Sequence, residues 1–152
     1  MTIDPARFGI DLRLLPALGV PRSDRDGGSD LQVGPGIAGA DLTRVAGVDC
    51  LTQALILRIL TPLGALSPLG HPDYGCRLGE LIGELNTEAV RGRAKVFVLQ
   101  ALAGEPRITR VLSLDVVTSP ADRTALEIRA QLQTGDGVLN LVVPFSLAGG
   151  MS

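Results

Sequence analysis

The sequence predicts an α+β fold in which about three helices pack on a small antiparallel β-meander with an open edge strand. The first observation is a change of period: apolar residues recur at helical spacing between residues 49 and 103, and alternate with polar ones from residue 108 onwards. The second is the position of the Gly- and Pro-rich segments, which separate the periodic stretches and mark where each element ends. Together they predict helices first and the sheet last.

Composition divides the chain into two parts. Residues 1–47 are expected to form an N-terminal arm with a flexible loop at residues 21–39, because that Gly- and Pro-rich stretch has too few apolar side chains to offset the entropy cost of ordering. Residues 48–152 are expected to form the folded domain. A chain of 152 residues is long enough for one domain with an ordinary hydrophobic core.

Two helices are expected early in the domain. The first covers residues 50–60, with Asp49 as its N-cap, and Pro62 ends it because the residue before a proline is driven out of the helical region. The second covers residues 76–85, where four apolar side chains share one stripe expected to be buried: Leu78, Leu81, Ile82 and Leu85.

A third helix is expected to begin after Asn86 or Thr87, either of which can act as its cap, and to end near Ala103. Gly104 in a left-handed conformation, followed by Pro106, is the expected stop signal. The inward face of this helix is predicted to comprise Val90, Ala94, Phe97 and Ala101.

Three strands are expected to follow, at residues 108–118, 124–133 and 138–147. The first two alternate apolar and polar side chains, and the third places five apolar side chains on one face. The turn-forming segments 119–122 and 135–137 lie between the strands. Short turns between alternating strands predict an antiparallel meander with one face on the core and one face in water.

The third predicted strand has an unusual edge. Pro144 has no N–H and restricts this strand to a sheet edge or a bulge, yet the strand carries no charged side chain that would discourage pairing. Two interpretations are open: the N-terminal segment covers this edge, or a partner adds a strand to it. The edge residues in question are Val138, Asn140, Val142 and Pro144.

The charge balance and the few ring and sulfur side chains limit the function classes. The net charge is −2 and there are only four aromatic residues, which argues against a protein that holds nucleic acid by bulk charge or by base stacking. A structural zinc site takes four ligands, and the sequence offers only three candidates, Cys50, Cys76 and His71. No metal or cofactor is therefore expected, and both cysteines are predicted to be small core residues. No apolar stretch is long enough to span a membrane, so synthesis in a reducing cytoplasm is expected.

The segment Glu105-Pro-Arg lies at the predicted corner between the last helix and the first strand. The proline fixes the backbone there and directs the two charged side chains. Two interpretations are open: a local ion pair that fastens the corner, or an arginine that binds a carboxylate or carbonyl of a partner.

Five short motifs follow one another in order: Phe8-Gly-Ile-Asp-Leu, Gly47-Val-Asp-Cys-Leu-Thr-Gln-Ala, Leu60-Thr-Pro-Leu-Gly, His71-Pro-Asp-Tyr-Gly and Glu105-Pro-Arg-Ile. Each is weak alone, but the ordered set resembles the baseplate sheath-initiator family of contractile tails. That family includes the lysozyme-like baseplate wedge proteins of phage tails and their counterparts in type VI secretion systems and extracellular contractile injection systems. The resemblance covers residues 8–147, and by it residues 48–152 correspond to the sheath-initiator baseplate domain.

The resemblance implies a structural role at the top of a baseplate. It implies that Glu105, Pro106 and Arg107 dock on the wedge core bundle, and that the edge strand of residues 138–147 accepts a strand from the first ring of sheath subunits. The implied partners are the sheath protein and the baseplate wedge proteins, with the inner-tube initiator as a further candidate and no direct contact with nucleic acid or a membrane. A six-fold baseplate implies about six copies, in a virion or an injection particle.

The label lysozyme-like suggests an enzyme, and a peptidoglycan hydrolase would need two carboxylates flanking the scissile bond. The candidates are Asp73, Glu80, Glu84 and Glu105. The chain has almost no aromatic side chains on which a sugar could stack, and surface glutamates one helical turn apart are more often simply solvated. We therefore expect no enzymatic activity, with a hydrolase or an adaptor in another cytoplasmic complex as the alternatives.

Overall fold

The computed structural model describes residues 8–14, 33–36 and 39–148. The chain divides into two compact units, residues 1–55 and residues 56–152. Helix α1 (Gly47–Leu60) begins in the first unit and ends in the second.

The first unit holds two small antiparallel sheets. Strand β1 (Ile10–Leu12) pairs with β4 (Arg44–Ala46), and strand β2 (Val33–Gly36) pairs with β3 (Gly39–Leu42). Of the loop predicted at residues 21–39, residues 33–36 and 39 therefore belong to strands, and residues 21–32 and 37–38 lie outside the described residues.

Gln53 of α1 fastens the chain that follows β1. Its amide nitrogen donates to the Leu12 carbonyl at 2.9 Å, and its amide oxygen accepts from the Leu14 N–H at 2.9 Å. The side chain is fully buried, and these two bonds satisfy both ends of an amide that would otherwise be costly to remove from water.

Helix α1 starts three residues before the predicted position, so Asp49 lies in its first turn rather than at the cap. A carboxylate is favoured there because the N-terminal end of a helix carries partial positive charge. The helix ends at Leu60, directly before Thr61-Pro62, as predicted from the proline.

The second predicted helix is wrong. Residues 76–85 contain only a short 3-10 helix, Arg77–Leu81, after which Ile82 is extended and Gly83 is left-handed with φ +90°. The Gly83 N–H donates to the Leu147 carbonyl at 2.7 Å instead of continuing a helix. Of the predicted stripe only Leu78 and Leu81 are buried, whereas Ile82 and Leu85 are 48% and 82% exposed.

Helix α2 (Glu88–Ala103) matches the third predicted helix. The Thr87 side chain caps it by accepting from the Val90 N–H at 3.3 Å. Its end differs from the prediction, because Gly104 has φ −81° and ψ 0° and is not left-handed. The predicted inward face is confirmed and is wider than expected, with buried residues Val90, Ala94, Phe97, Val98, Ala101 and Leu102.

The meander consists of β5 (Ile108–Thr118), β6 (Ala125–Thr134) and β7 (Gly137–Ser146), in that spatial order. Both pairings are antiparallel, and α2 packs against β5. The predicted apolar faces of the two later strands are confirmed, with buried apolar side chains Leu126, Ile128, Ala130, Leu132, Leu139, Leu141 and Val143.

The predicted architecture of about three helices on a single meander is wrong. The described residues form two α-helices, one three-stranded sheet and two two-stranded sheets. The error has two sources: Gly83 interrupts the predicted second helix, and the short strands around the Gly-rich segment have no sequence pattern long enough to reveal them.

Candidate functional site

The first candidate surface is the outer edge of β7, on the side away from β6. All ten residues of β7 pair with β6 without a register shift, from Gly137 opposite Thr134 to Ser146 opposite Ala125. Among the described residues no strand pairs with the outer side of β7. The strand Gly137–Ser146 contains no charged side chain.

Two independent arguments fix which backbone groups of β7 point outward. Pro144 lies opposite Glu127 in an unbroken ladder, so this must be a pair without hydrogen bonds, because proline has no N–H to give. At the other end, Gly135 and Asp136 form a two-residue turn, which requires the Thr134–Gly137 pair to be hydrogen-bonded. By both arguments, the backbone N–H and carbonyl groups of the even-numbered residues of β7 point away from β6.

The predicted edge residues are therefore those whose backbone groups face away from the sheet. Val138, Asn140 and Val142 each direct an N–H and a carbonyl outward, and Pro144 directs only a carbonyl. Their side chains stand on the face opposite the core: Val138 and Asn140 are exposed, and Val142 and Pro144 are half-buried. The edge offers a short row of donors that is interrupted at Pro144.

The second candidate surface is the corner at Glu105, between α2 and β5. The Glu105 side chain is only 4% exposed, and it accepts from Arg107 Nε at 2.7 Å, Arg107 Nη2 at 3.0 Å and the Arg107 N–H at 3.2 Å. Pro106 is exposed and the Arg107 side chain is 30% exposed. Of the three predicted docking residues, Glu105 lies inside the chain and only Pro106 and Arg107 reach its surface.

Arg58 of α1 lies on the other side of the same carboxylate. Its Nη2 is 3.6 Å from Glu105 Oε2, and its guanidinium lies 4.6 Å from the centre of the Tyr74 ring. At 3.6 Å the contact with Glu105 is an ion pair rather than a hydrogen bond, and the stacking on Tyr74 adds a cation–π attraction. Two guanidinium groups thus share one buried carboxylate.

The chain segments around Tyr74 form a closed loop. Cys76 donates its N–H to the Thr61 carbonyl at 2.8 Å, and the Gly64 N–H donates to the Tyr74 carbonyl at 3.3 Å. Gly75 has φ +114°, and a Cβ there would lie 2.7 Å from the carbonyl oxygens of Thr61 and Pro62, so no other residue fits. The motifs Leu60-Thr-Pro-Leu-Gly and His71-Pro-Asp-Tyr-Gly are therefore the two ends of one loop.

Burial and charge act against each other at this corner. Burial raises the pKa of Glu105, but the hydrogen bonds from Arg107 and the charges of Arg107 and Arg58 outweigh it, so the pKa of this carboxyl lies below its usual range. Burial also raises the pKa of the Tyr74 hydroxyl, opposed by the charge of Arg58. Glu105 is therefore held as a carboxylate that fixes both arginines.

The other carboxylates proposed for a hydrolase are also bound or solvated. Arg77 donates to both oxygens of Glu80 at 2.7 and 2.9 Å, and these hydrogen bonds lower the pKa of Glu80. Arg93 binds both oxygens of Glu84 at 2.8 and 2.9 Å. Asp73 is exposed, as is His71 in the same loop.

Cys50 and Cys76 are both buried, as expected for core residues. In the described part of the chain no group of three His, Cys, Asp or Glu side chains is arranged to hold a metal ion. No helix among the same residues is long and apolar enough to cross a membrane.

Sequence reasoning missed the roles of Arg58 and Tyr74. A signal was present in each case: Arg58 interrupts the apolar run of α1, and Tyr74 is the only tyrosine of the chain and precedes a glycine in a motif. Neither signal says that the two side chains meet at Glu105, because that contact depends on the closed loop between residues 61 and 76.

Comparison with known proteins gives a likeness in fold. No protein-family model matches the sequence, and no curated protein matches it. A solved structure from Geobacter sulfurreducens, described as a "putative tail lysozyme", is similar with a TM-score of 0.55 and 24% sequence identity. The similarity covers 65% of this chain and 89% of the Geobacter chain. About two thirds of the chain therefore shares the fold of the Geobacter protein.

Proposed function

We propose that this chain is a structural, non-enzymatic component of a contractile-tail baseplate, which docks on wedge proteins and seeds the sheath by accepting a strand at the outer edge of β7. The observation that carries the proposal is that edge: ten residues without a bulge or a charge, with outward donors on alternate residues. The ordered motifs and the likeness to the Geobacter tail protein support the baseplate assignment.

Strand addition would use the backbone of β7 for affinity and its side chains for selectivity. An incoming strand would bond to the N–H and carbonyl groups of Val138, Asn140 and Val142, and Pro144 would interrupt the row because it offers no donor. The two valines and the proline form an apolar row beside the edge, against which alternate side chains of the incoming strand would pack.

The test of this step is co-expression with the sheath protein encoded in the same gene cluster, followed by pull-down and negative-stain microscopy. Wild-type protein is expected to co-purify with ring-like or short sheath-like assemblies. Val142→Pro removes an outward N–H without removing a bond to β6, so it should lower recovery of the sheath protein at least tenfold, about the effect of losing 1.4 kcal/mol.

Val142→Ala is the matched control, because it shortens the same side chain and keeps the N–H. It is expected to bind the sheath protein within about threefold of wild type, a loss well under 1 kcal/mol. Circular dichroism must show that both variants are folded. Normal sheath assembly by folded Val142→Pro protein would refute strand addition at this edge.

Wedge docking would use Arg107, the charged residue of the corner that reaches the surface. The buried Glu105 would hold the Arg107 guanidinium in one orientation, which lowers the entropy cost of binding a carboxylate or carbonyl on the wedge. Arg107→Ala should weaken binding to co-expressed wedge proteins about tenfold or more, the cost of one charged hydrogen-bonded contact. Arg123→Ala, at an exposed arginine away from this corner, is the control, and equal binding by the two variants would contradict the assignment.

A hydrolase is the alternative to which the name of the Geobacter protein points. A general acid needs a carboxyl whose pKa is raised toward neutrality, whereas the pKa values of Glu80 and Glu105 are lowered by their arginines. These shifts support the non-enzymatic proposal. Muramidase activity of the purified chain that disappears in Glu105→Gln would overturn it.

A further inference from the structure

One row of uncharged polar side chains crosses the outer face of the three-stranded sheet and ends at the outer edge of β7. Ser113 of β5 lies opposite Gln131 of β6, and Gln131 lies opposite Asn140 of β7. All three residues are exposed. Directly opposite residues of neighbouring strands place their side chains on the same face and within contact distance. A strand added to β7 would therefore continue this row beside Asn140.

Asn140 differs in chemistry from the other residues of the outer edge. Val138, Val142 and Pro144 are apolar, whereas an asparagine is unusual in the middle of a strand. Within the described residues the Asn140 side chain takes part in no hydrogen bond, so both its donor and its acceptor groups are available to a partner. The amide thus makes no polar contact that would stabilise the described part of the chain.

The backbone of β7 leaves the register of an added strand open. All ten residues pair with β6 without a bulge, so a slide of two residues along the outer edge returns each outward N–H and carbonyl to an equivalent partner. A slide of one residue is different, because it would exchange the two faces of the incoming strand. Pro144 interrupts the row of donors but does not decide which residue of the incoming strand lies beside it. Side chains must therefore select the register.

The side chains of the outer edge can make this selection, because a two-residue slide does not repeat their pattern. The amide of Asn140 has a valine two residues away on each side. A strand with an amide or hydroxyl group beside Asn140 forms a side-chain hydrogen bond in one register, and each two-residue slide places that polar group beside a valine instead. A single asparagine fixes the register of coiled coils in the same way.

We infer that Asn140 determines the register of the strand added at the outer edge of β7, and that it selects a strand with Asn, Gln, Ser or Thr opposite it and apolar side chains two residues to either side. This inference rests on the strand addition proposed above, and it specifies the chemistry of the incoming strand. It gives Asn140 a role in recognition and none in stability.

The probe is a synthetic strand of about eleven residues, with asparagine at its centre, valine two residues to either side and lysine at both ends to prevent self-association. Four versions each carry one cysteine, placed two or four residues before or after the asparagine and activated with thionitrobenzoate. The full chain carries Val138→Cys, at an exposed position of the outer edge. Disulfide formation between the two releases coloured thionitrobenzoate, so its rate is read by absorbance. Cys50 and Cys76 are buried, and the chain without Val138→Cys gives the background rate.

The rates report the register of the bound peptide. Opposite Cα atoms lie about 5.5 Å apart, which is within the range of a disulfide, and a two-residue slide moves the cysteine about 7 Å further along the edge. With Asn140 in place, one version with cysteine two residues from the asparagine should react at least threefold faster than the version with cysteine four residues away on the same side. The side that reacts reports whether the strand adds parallel or antiparallel.

Three changes at the edge test Asn140 itself, each in Val138→Cys protein that circular dichroism shows to be folded. Asn140→Val should bring the two rates within about twofold, because no register then matches the amide of the peptide. Asn140→Gln keeps an amide and should preserve the preference. Asn140→Val combined with Val142→Asn should make the four-residue version the faster one, because the matching register moves by two residues.

Two results would overturn the inference while leaving strand addition in place: equal rates of the two versions with Asn140 present, or a preference that is unchanged in Asn140→Val. Failure of strand addition has a different signature. No version would then react faster with Val138→Cys than with Leu69→Cys, at an exposed leucine outside the sheet, and the inference about Asn140 would fail with it.

Discussion

The β5–β7 sheet has two edges, and they differ in the devices that prevent pairing with other strands. On β5 the register shifts twice, between Ile108 and Arg110 and between Val111 and Ser113, and the strand carries charged side chains. On β7 all ten residues pair in one register and none is charged. Bulges and charges are common means of blocking an edge, and this sheet uses both on one side only.

The elements around the two edges show the same difference: other parts of the chain pack against β5, and no strand pairs with β7 on its outer side among the described residues. Helix α2 packs against β5, and Asn86 donates to the Thr118 hydroxyl at 3.2 Å near the end of that strand. Among the described residues no strand pairs with the outer side of β7. Among the described residues the sheet therefore has one edge with bulges and charges and one regular, uncharged edge, which is the asymmetry that the proposed strand addition requires.

The largest expected effect is on stability, and it distinguishes the buried face of β7 from its exposed face. Leu141 is fully buried under the sheet, whereas its neighbour Asn140 is exposed with its backbone groups directed outward. Leu141→Ala should lower the free energy of unfolding by about 2–5 kcal/mol, because it removes a core side chain and leaves a cavity.

Asn140→Ala is the matched control and should change the free energy of unfolding by less than about 0.5 kcal/mol. Urea unfolding measures both variants. If the two substitutions lower the free energy of unfolding equally, the buried and outward-facing residues of β7 do not have the separate roles that the comparison of the two edges requires.

How much of the fold could be predicted from the sequence depended on the length of each apolar pattern. The three long strands and α2 each carry an apolar pattern spread over ten or more residues, and the sequence predicts their positions to within one or two residues. The predicted helix at residues 76–85 had the right spacing of leucines, but Gly83 adopts a left-handed φ and ends it. Helical spacing over one or two turns does not distinguish an α-helix from a 3-10 turn.

The candidate site shows the same limit. The corner residues and the outward edge residues could be named from single motifs and from Pro144, because both signals are local in sequence. The contacts of Glu105 with Arg58 and of Arg58 with Tyr74 join segments far apart in the chain. Such contacts depend on the geometry of the loop that joins the segments, and a single sequence contains no pattern that reveals this geometry.

A second, smaller effect on stability tests Glu105, which anchors the start of β5, the strand at the protected edge of the sheet. Strand β5 begins just after Glu105, whose carbonyl accepts the Ile108 N–H at 3.2 Å while its side chain holds Arg107 and Arg58. Glu105→Gln keeps the shape but removes the negative charge, leaving two guanidinium groups without their carboxylate. The free energy of unfolding at pH 7 should fall by about 2–3 kcal/mol. Glu80→Gln, at an exposed carboxylate that is also paired with an arginine, is the control and should leave the free energy of unfolding close to that of wild type, because solvent screens the pair.

The pH dependence distinguishes loss of this charge from a simple packing defect. The native pKa of Glu105 lies below its unfolded value of about 4.3, so the ion pair contributes its full stability above that pH and loses it as the pH falls toward the native pKa. Urea unfolding of wild type should therefore weaken on acidification below about pH 4.3 by more than that of Glu105→Gln, and the two curves should converge. Parallel curves would mean that Glu105 is not the charged anchor of β5, and the protection of that edge would then rest on its bulges and its own charged side chains.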